Sequence, residues 1–235
     1  MIGEHPLVRR LMKGIYNCRP PAPRYTFIWD TTVLINYLRQ LDTATLSFKL
    51  LSMKTLTLLT LLTGQRVSTM CQLRLSDMFL SESCILFSIS GLLKHSRPGR
   101  VLPPIQLVKY APDSALCPVA TLTTYLQLRR TLVAADVTPV FITYGKPHHP
   151  ASKDSLARWI KDTLQCAGID VDTFKPHSCR AASTSKASSV GVSIEDILRS
   201  GQWAKDSVFY KHYCKYIINN ELNDSFQAGI LPSVS

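Results

Sequence analysis

Apolar positions along the chain fall mostly at helical spacing. Val33, Leu34, Tyr37, Leu38 and Leu41 recur as one face of a helix. Residues 50–62 form a second, more uniformly apolar helix that stops at Gly64. A shorter one is expected over 68–73. Pro118 opens a helix predicted to run to about Ala134, with Leu122, Tyr125, Leu126 and Leu132 on its apolar side. Ser152 is a good N-cap for the next, whose stripe is Leu156, Trp159, Ile160 and Leu164, with Gly168 as its stop. Further helices are expected from His177 to before Gly191, from Ser193 to Gly201, and from Asp206 through Tyr213. Strand character is confined to 84–90 and 100–107, joined by a Pro-Gly-punctuated hairpin loop over 91–99, and to a third candidate, Val140–Thr143. The pattern predicts a mainly α domain with a small antiparallel sheet at one edge.

The N-terminal residues 1–16 read as a short basic helix, and 19–24 (RPPAPR) as a stiff, extended linker. These divide the chain into a helix remnant with its Pro-rich linker (1–23), a main domain (24–218) and a C-terminal tail (219–235). A length of 235 residues is ample for one packed core. No uncharged apolar run approaches the ~18 residues of a membrane span, and no apolar segment of a secretory signal is visible near the start. Seven cysteines, none of them spaced CxxC, support neither a disulfide framework nor a zinc site. A reducing, intracellular setting is expected.

Charge narrows the partner. Lys and Arg number 27 against 16 Asp and Glu, for a net charge of +11. Such an excess favours polyanions, nucleic acid first and an anionic membrane surface second. The basic residues lie in stretches without acids: Lys49, Lys54, Arg66 and Arg74; then Lys94, His95, Arg97, Arg100 and Lys109; then Lys175, His177, Arg180 and Lys186. The sequence contains no GxxxxGK[ST] loop, GxGxxG turn or HExxH pair. Asp170 and Asp172 are the only close Asp pair, placed just past a helix end, where turns and caps are common. No metal site and no cofactor are expected.

Five features follow one another in order: Thr63-Gly64-Gln65-Arg66, Lys94 in the hairpin loop, His177-Ser178-Cys179-Arg180, Gly201-Gln202-Trp203, and Tyr213 in Phe209-Tyr210-Lys211-His212-Tyr213. Taken singly, each has a plain structural reading, as a loop lysine, a core tryptophan or a packed tyrosine. Taken together, over residues 24–218, they resemble the tyrosine recombinases, the phage integrase family. The Trp203…Tyr213 pattern looks most like recombinases of eukaryotic crypton and DIRS-like mobile elements.

The resemblance implies the recombinase catalytic-domain fold and a set of roles. Arg66 and Arg180 would bind the non-bridging oxygens of the scissile phosphate. Lys94 would protonate the leaving 5′-oxygen, His177 would assist proton transfer, and Trp203 would donate its indole N–H. Tyr213 would be the nucleophile, with Tyr210 as its competitor. Arg97, Arg100, Lys175 and Lys211 are the candidates for further DNA contacts. Thr69 stands where many family members carry an acid. The implied partners are double-stranded DNA and further copies of the chain, as a tetramer on DNA, with no membrane and no cofactor; the implied compartment is the nucleus. The alternative is a DNA-binding module of the same fold, domesticated or inactivated, that does not cleave.

Overall fold

A helix buried on nearly every side organises the chain. In the computed structural model, which describes residues 4–19, 25–91, 102–203 and 213–218, the elements are α1 (Pro6–Cys18), β1 (Phe27–Trp29), α2 (Thr31–Gln40), α3 (Phe48–Thr63), α4 (Val67–Met70), β2 (Met78–Leu80), β3 (Cys84–Phe87), β4 (Ile105–Val108), α5 (Pro118–Arg130), α6 (Lys153–Cys166), α7 (Ser178–Ser189), α8 (Ile194–Gly201) and β5 (Tyr216–Ile218). The central helix is α3, which packs against α5, α6, α7 and β4. Three of its four threonines satisfy their hydroxyls within the helix: Thr55, Thr60 and Thr63 donate to the carbonyls of Leu51, Leu56 and Leu59, four residues back. Lys54, also fully buried, donates Nζ to the Leu41 carbonyl and the Thr43 hydroxyl. Burial lowers its pKa, while Asp42 and Asp113 oppose the shift.

The caps at Ser152 and Ser193 fall where the sequence places them, each accepting an amide from the first turn of α6 and α8. Ser47 does the same for α3, which starts two residues before the expected helix. Gly64 ends α3 in the left-handed region, at φ +59°. All four stripe residues of α6 are buried. Helix α5 ends at Arg130, four residues earlier than the pattern predicts.

The expected third strand is a correction. Within Val140–Thr143 only Ile142 makes an isolated bridge, with Pro150; a second, Arg74 with Pro139, lies just before the segment. Its backbone groups go partly to neighbouring backbone, at Leu73, His149 and Ala151, and partly to side chains of α5. The Val140 carbonyl accepts from Arg129 Nε (3.0 Å) and Tyr125 Oη (3.2 Å), and Tyr125 Oη accepts the Ile142 amide (3.2 Å). The third strand of the antiparallel sheet is β2, in the order β2-β3-β4. A second, two-stranded sheet pairs β1 with β5 in parallel, Phe27 opposite Tyr216 and Trp29 opposite Ile218. It ties the two ends of the main domain together.

The helix expected through Tyr213 is a second correction at its C-terminal end. Tyr213 lies in a turn, and the chain goes on to β5. The rest of that expected helix (206–212), the linker residues 20–24, most of the hairpin loop (92–101) and the tail from 219 lie outside the described residues.

Candidate phosphate-binding active site

The end of α3 and the start of α7 meet at one cleft. Gly64 turns the chain out of α3, and two residues later Arg66 sits extended as the N-cap of α4, half-buried. His177 is the N-cap residue of α7, exposed and with no side-chain capping bond. Arg180 follows in the first turn and is only 2% exposed. The cleft holds about 260 Å³, and its walls include Gln65, Arg66, His177, Arg180 and Tyr213. Four of the six residues chosen from sequence therefore converge on one small space.

Arg180 is held rigidly. Its Nη1 donates to the Gly64 carbonyl and its Nη2 to the Gly201 carbonyl, both at 2.6 Å. Its guanidinium carbon lies 3.6 Å from the centre of the Trp203 ring and 5.2 Å from that of Tyr213. Trp203 meets Tyr213 edge to face, with ring centres 4.9 Å apart. Burial, and after it the positive charge of Arg66, pull the Arg180 pKa down to about 9, against the opposing pull of Tyr213. The guanidinium is still charged at neutral pH. An anion in the cleft would relieve the repulsion between the two arginines, so the geometry suits a phosphate.

Small side chains let these elements approach. A Cβ on Gly201 would lie 1.7 Å from the Trp203 ring. Gln202, at φ +57°, turns the chain so that the indole folds back onto that glycine. Gln65 donates to the Ser200 carbonyl (2.6 Å) and Ser200 to the Thr63 carbonyl (2.9 Å), which locks α8 onto the end of α3. Ser185 donates to the Tyr213 carbonyl (2.7 Å) and accepts the Lys215 amide (2.9 Å). One hydroxyl thus spans the turn that carries Tyr213.

The other candidates fall differently. Lys175 directs Nζ to the Val171 carbonyl (3.1 Å) and is half-buried beside the cleft. Lys94, Arg97, Arg100, Lys211 and Tyr210 lie outside the described residues. The Asp170 carboxylate accepts the amides of Asp172 and Thr173, which gives it a turn-forming role. Among the described residues no group of three or more His, Cys, Asp or Glu side chains converges on a point. Sequence reasoning missed Ser185 and Gln65. The only signal for Ser185 was the run of small and hydroxyl residues in α7, Ser178-Cys179-Arg180-Ala181-Ala182-Ser183-Thr184-Ser185.

The mainly helical fold with a small antiparallel sheet is that of the tyrosine recombinase catalytic domains. Residues 34–216 match the model of the phage integrase family, so the chain belongs to that family. Its fold is similar to that of XerA recombinase, at 19% identity and a TM-score of 0.61, covering 97% of this chain and 76% of that one. It is also similar to XerH site-specific recombinase bound to difH substrate in a pre-cleavage complex, at 14% identity and a TM-score of 0.59, covering 78% of this chain and 49% of that one. A third similar structure is the Tn1549 transposon integrase in complex with transposon right-end DNA, at 13% identity and a TM-score of 0.57, covering 90% of this chain and 66% of that one. This chain thus spans about three quarters of XerA and about half of XerH. Among proteins with curated descriptions, none matches the sequence.

Proposed function

We propose that this protein cleaves and rejoins DNA strands through a 3′-phosphotyrosyl intermediate. The observation that carries the reading is the convergence of Arg66, His177, Arg180 and Tyr213 on one cleft, with Trp203 stacked beneath Arg180. Tyr213 Oη attacks the scissile phosphorus, and the bond to the 5′-oxygen breaks as the bond to tyrosine forms. Arg66 and Arg180 hold the non-bridging oxygens, where negative charge concentrates. Guanidinium groups suit this task because they are planar, bidentate and always charged at working pH. Losing one such preorganised donor typically costs ~2.7–4 kcal/mol of transition-state stabilisation. His177 assists proton transfer, and Lys94 gives the leaving 5′-oxygen its proton. The phosphotyrosine bond conserves the energy of the cleaved bond, so a 5′-hydroxyl rejoins the strand by the reverse attack.

The resemblance of the Trp203…Val208-Phe209-x-x-x-Tyr213 pattern to recombinases of eukaryotic mobile elements supports the proposal that the protein belongs among them; on that resemblance it would act in the nucleus, as a tetramer on DNA. The basic residues Arg97, Arg100, Lys175 and Lys211 are proposed to contact the DNA backbone. Such contacts hold register without reading sequence.

The test is covalent trapping on labelled nicked duplexes in excess EDTA. The reading predicts a denaturant-stable protein–DNA adduct, lost in Tyr213→Phe and in Arg180→Ala. Salt-sensitive DNA binding with no adduct would favour the non-cleaving module instead.

A further inference from the structure

We propose that Gln65 and Ser200 are positioning residues for Arg180: they clip the end of α8 to the end of α3 and so fix the two carbonyls between which the guanidinium is forked. The consequence for cleavage rests on the recombinase reading above; the placement of Arg180 does not.

A helix leaves its last carbonyls without partners of its own. At the end of α3, side chains from α7 and α8 supply them. Ser183 donates to the Leu61 carbonyl, Ser200 to that of Thr63 at 2.9 Å, and Arg180 to that of Gly64 at 2.6 Å. The other arm of Arg180 reaches the carbonyl of Gly201, the last residue of α8, also at 2.6 Å. Its charge therefore lies at two helix C-termini, the ends that favour a cation. The fork holds only while those two ends keep their spacing.

Burial alone anchors α8 weakly. Of its eight residues only Ile197 and Gly201 are buried. Ile197 packs with Trp203 in a small apolar cluster of its own. The clip to α3 adds direction to that contact. Gln65, only 3% exposed, donates Nε2 to the Ser200 carbonyl at 2.6 Å, and the Ser200 hydroxyl donates back to Thr63. The two bonds run in opposite senses between the same two helix ends. Their residues are the sequence neighbours of Gly64 and Gly201, so the clip sets the spacing that Arg180 spans. Gln65 also stands between Gly64 and Arg66 in the wall of the cleft. A change in its seat would disturb the supports of both arginines.

The experiment uses the full chain labelled with ¹⁵N. Arginine side-chain ¹H–¹⁵N spectra at low temperature read rotation about the Cζ–N bonds. A guanidinium held at both Nη groups gives separate Nη proton signals, and a free one gives their average. Arg180 is assigned by its disappearance in Arg180→Lys. The wild-type protein is expected to show the held form. Ser200→Ala, at an exposed position, and Gln65→Leu are each expected to give the averaged signal. Ser200→Thr keeps the hydroxyl and should look like wild type. Adduct formation on nicked duplexes falls about tenfold in the first two variants, the scale of one hydrogen bond, while DNA binding changes less than about twofold. An averaged Arg180 signal in the wild-type protein would overturn the proposal. A variant of either residue in which Arg180 stays held would overturn that residue's role. Ser200→Thr behaving like Ser200→Ala would overturn it too, because the hydroxyl would not be the cause. Arg180 freed in the variants, while the wild-type protein forms no adduct, would keep the positioning role and remove the recombinase reading.

Discussion

Arg180 sits over the indole of Trp203, its guanidinium carbon 3.6 Å from the ring centre, while two of its nitrogens are committed to the carbonyls of Gly64 and Gly201. The side chain is thus fixed before any substrate arrives. Lysine would keep the charge and lose both the stacking and the fork. Arg180→Lys is predicted to lower adduct formation by at least about 100-fold. Stability should fall by about 2 kcal/mol, because two buried carbonyls lose their donors. Single-turnover cleavage and urea denaturation measure the two effects separately. Wild-type cleavage in Arg180→Lys would show that charge alone is sufficient.

The turn at Tyr213 depends on Ser185. Its hydroxyl bonds the Tyr213 carbonyl and the Lys215 amide, and it is not among the residues that line the cleft. Ser185→Ala is predicted to slow adduct formation about tenfold at a stability cost of about 1 kcal/mol. DNA affinity, measured by fluorescence anisotropy, should stay within about twofold of wild type. Equal losses in affinity and cleavage would assign Ser185 to general stability instead.

Gly201 sets two effects against each other. Alanine at a helical glycine ordinarily gains up to about 1 kcal/mol. Here the new methyl would sit 1.7 Å from the Trp203 ring, so the indole must move, and such overpacking costs about 1–3 kcal/mol. The clash wins. Gly201→Ala is predicted to be less stable than wild type, with tryptophan fluorescence altered by the displaced indole and adduct formation strongly reduced. A stabilised, active Gly201→Ala protein would contradict the packing described here.

Alkaline pH should act through Arg180. Burial and Arg66 bring its pKa down from the ordinary guanidinium range to about 9. Between these values the unfolded chain binds the proton more tightly than the folded protein does. Stability therefore gains from this group as pH rises through that window, because the cost of burying the charge disappears. Anion binding changes in the opposite sense, since the neutral group no longer attracts phosphate. The affinity difference between wild type and Arg180→Ala for a short duplex is predicted to be constant near neutrality and to shrink above about pH 9. A difference that persists undiminished well above that pH would show that the guanidinium keeps its proton in the site.

Much of the helical frame was legible because its signals are local. The stripe from Leu156 to Leu164, the serine caps and the stop at Gly64 each lie within a few residues of what they specify. The cleft was legible for a different reason: Arg66, His177, Arg180, Trp203 and Tyr213 form an ordered set, although no single member stands out. What escaped was long-range. Strands β1 and β5 are three residues each, too short to show a period, and pair across most of the chain. Val140–Thr143 has strand composition, but its backbone groups divide between scattered backbone partners and the α5 side chains Arg129 and Tyr125. In β2, Phe79 and Leu80 are both exposed, so no alternation marks it. Ser185 carries an ordinary hydroxyl, and only its distant partners, the Tyr213 carbonyl and the Lys215 amide, give it a role.

The most direct test of the account is to locate the nucleophile chemically. Trypsin separates the two tyrosines, since cleavage after Lys205, Lys211 and Lys215 leaves Tyr210 in the peptide 206–211 and Tyr213 in the peptide 212–215. The adduct would be trapped on a nicked duplex, digested with nuclease and trypsin, and read by mass spectrometry. The account predicts a nucleotide mass on peptide 212–215. A nucleotide mass on peptide 206–211 instead, or on neither, would contradict it.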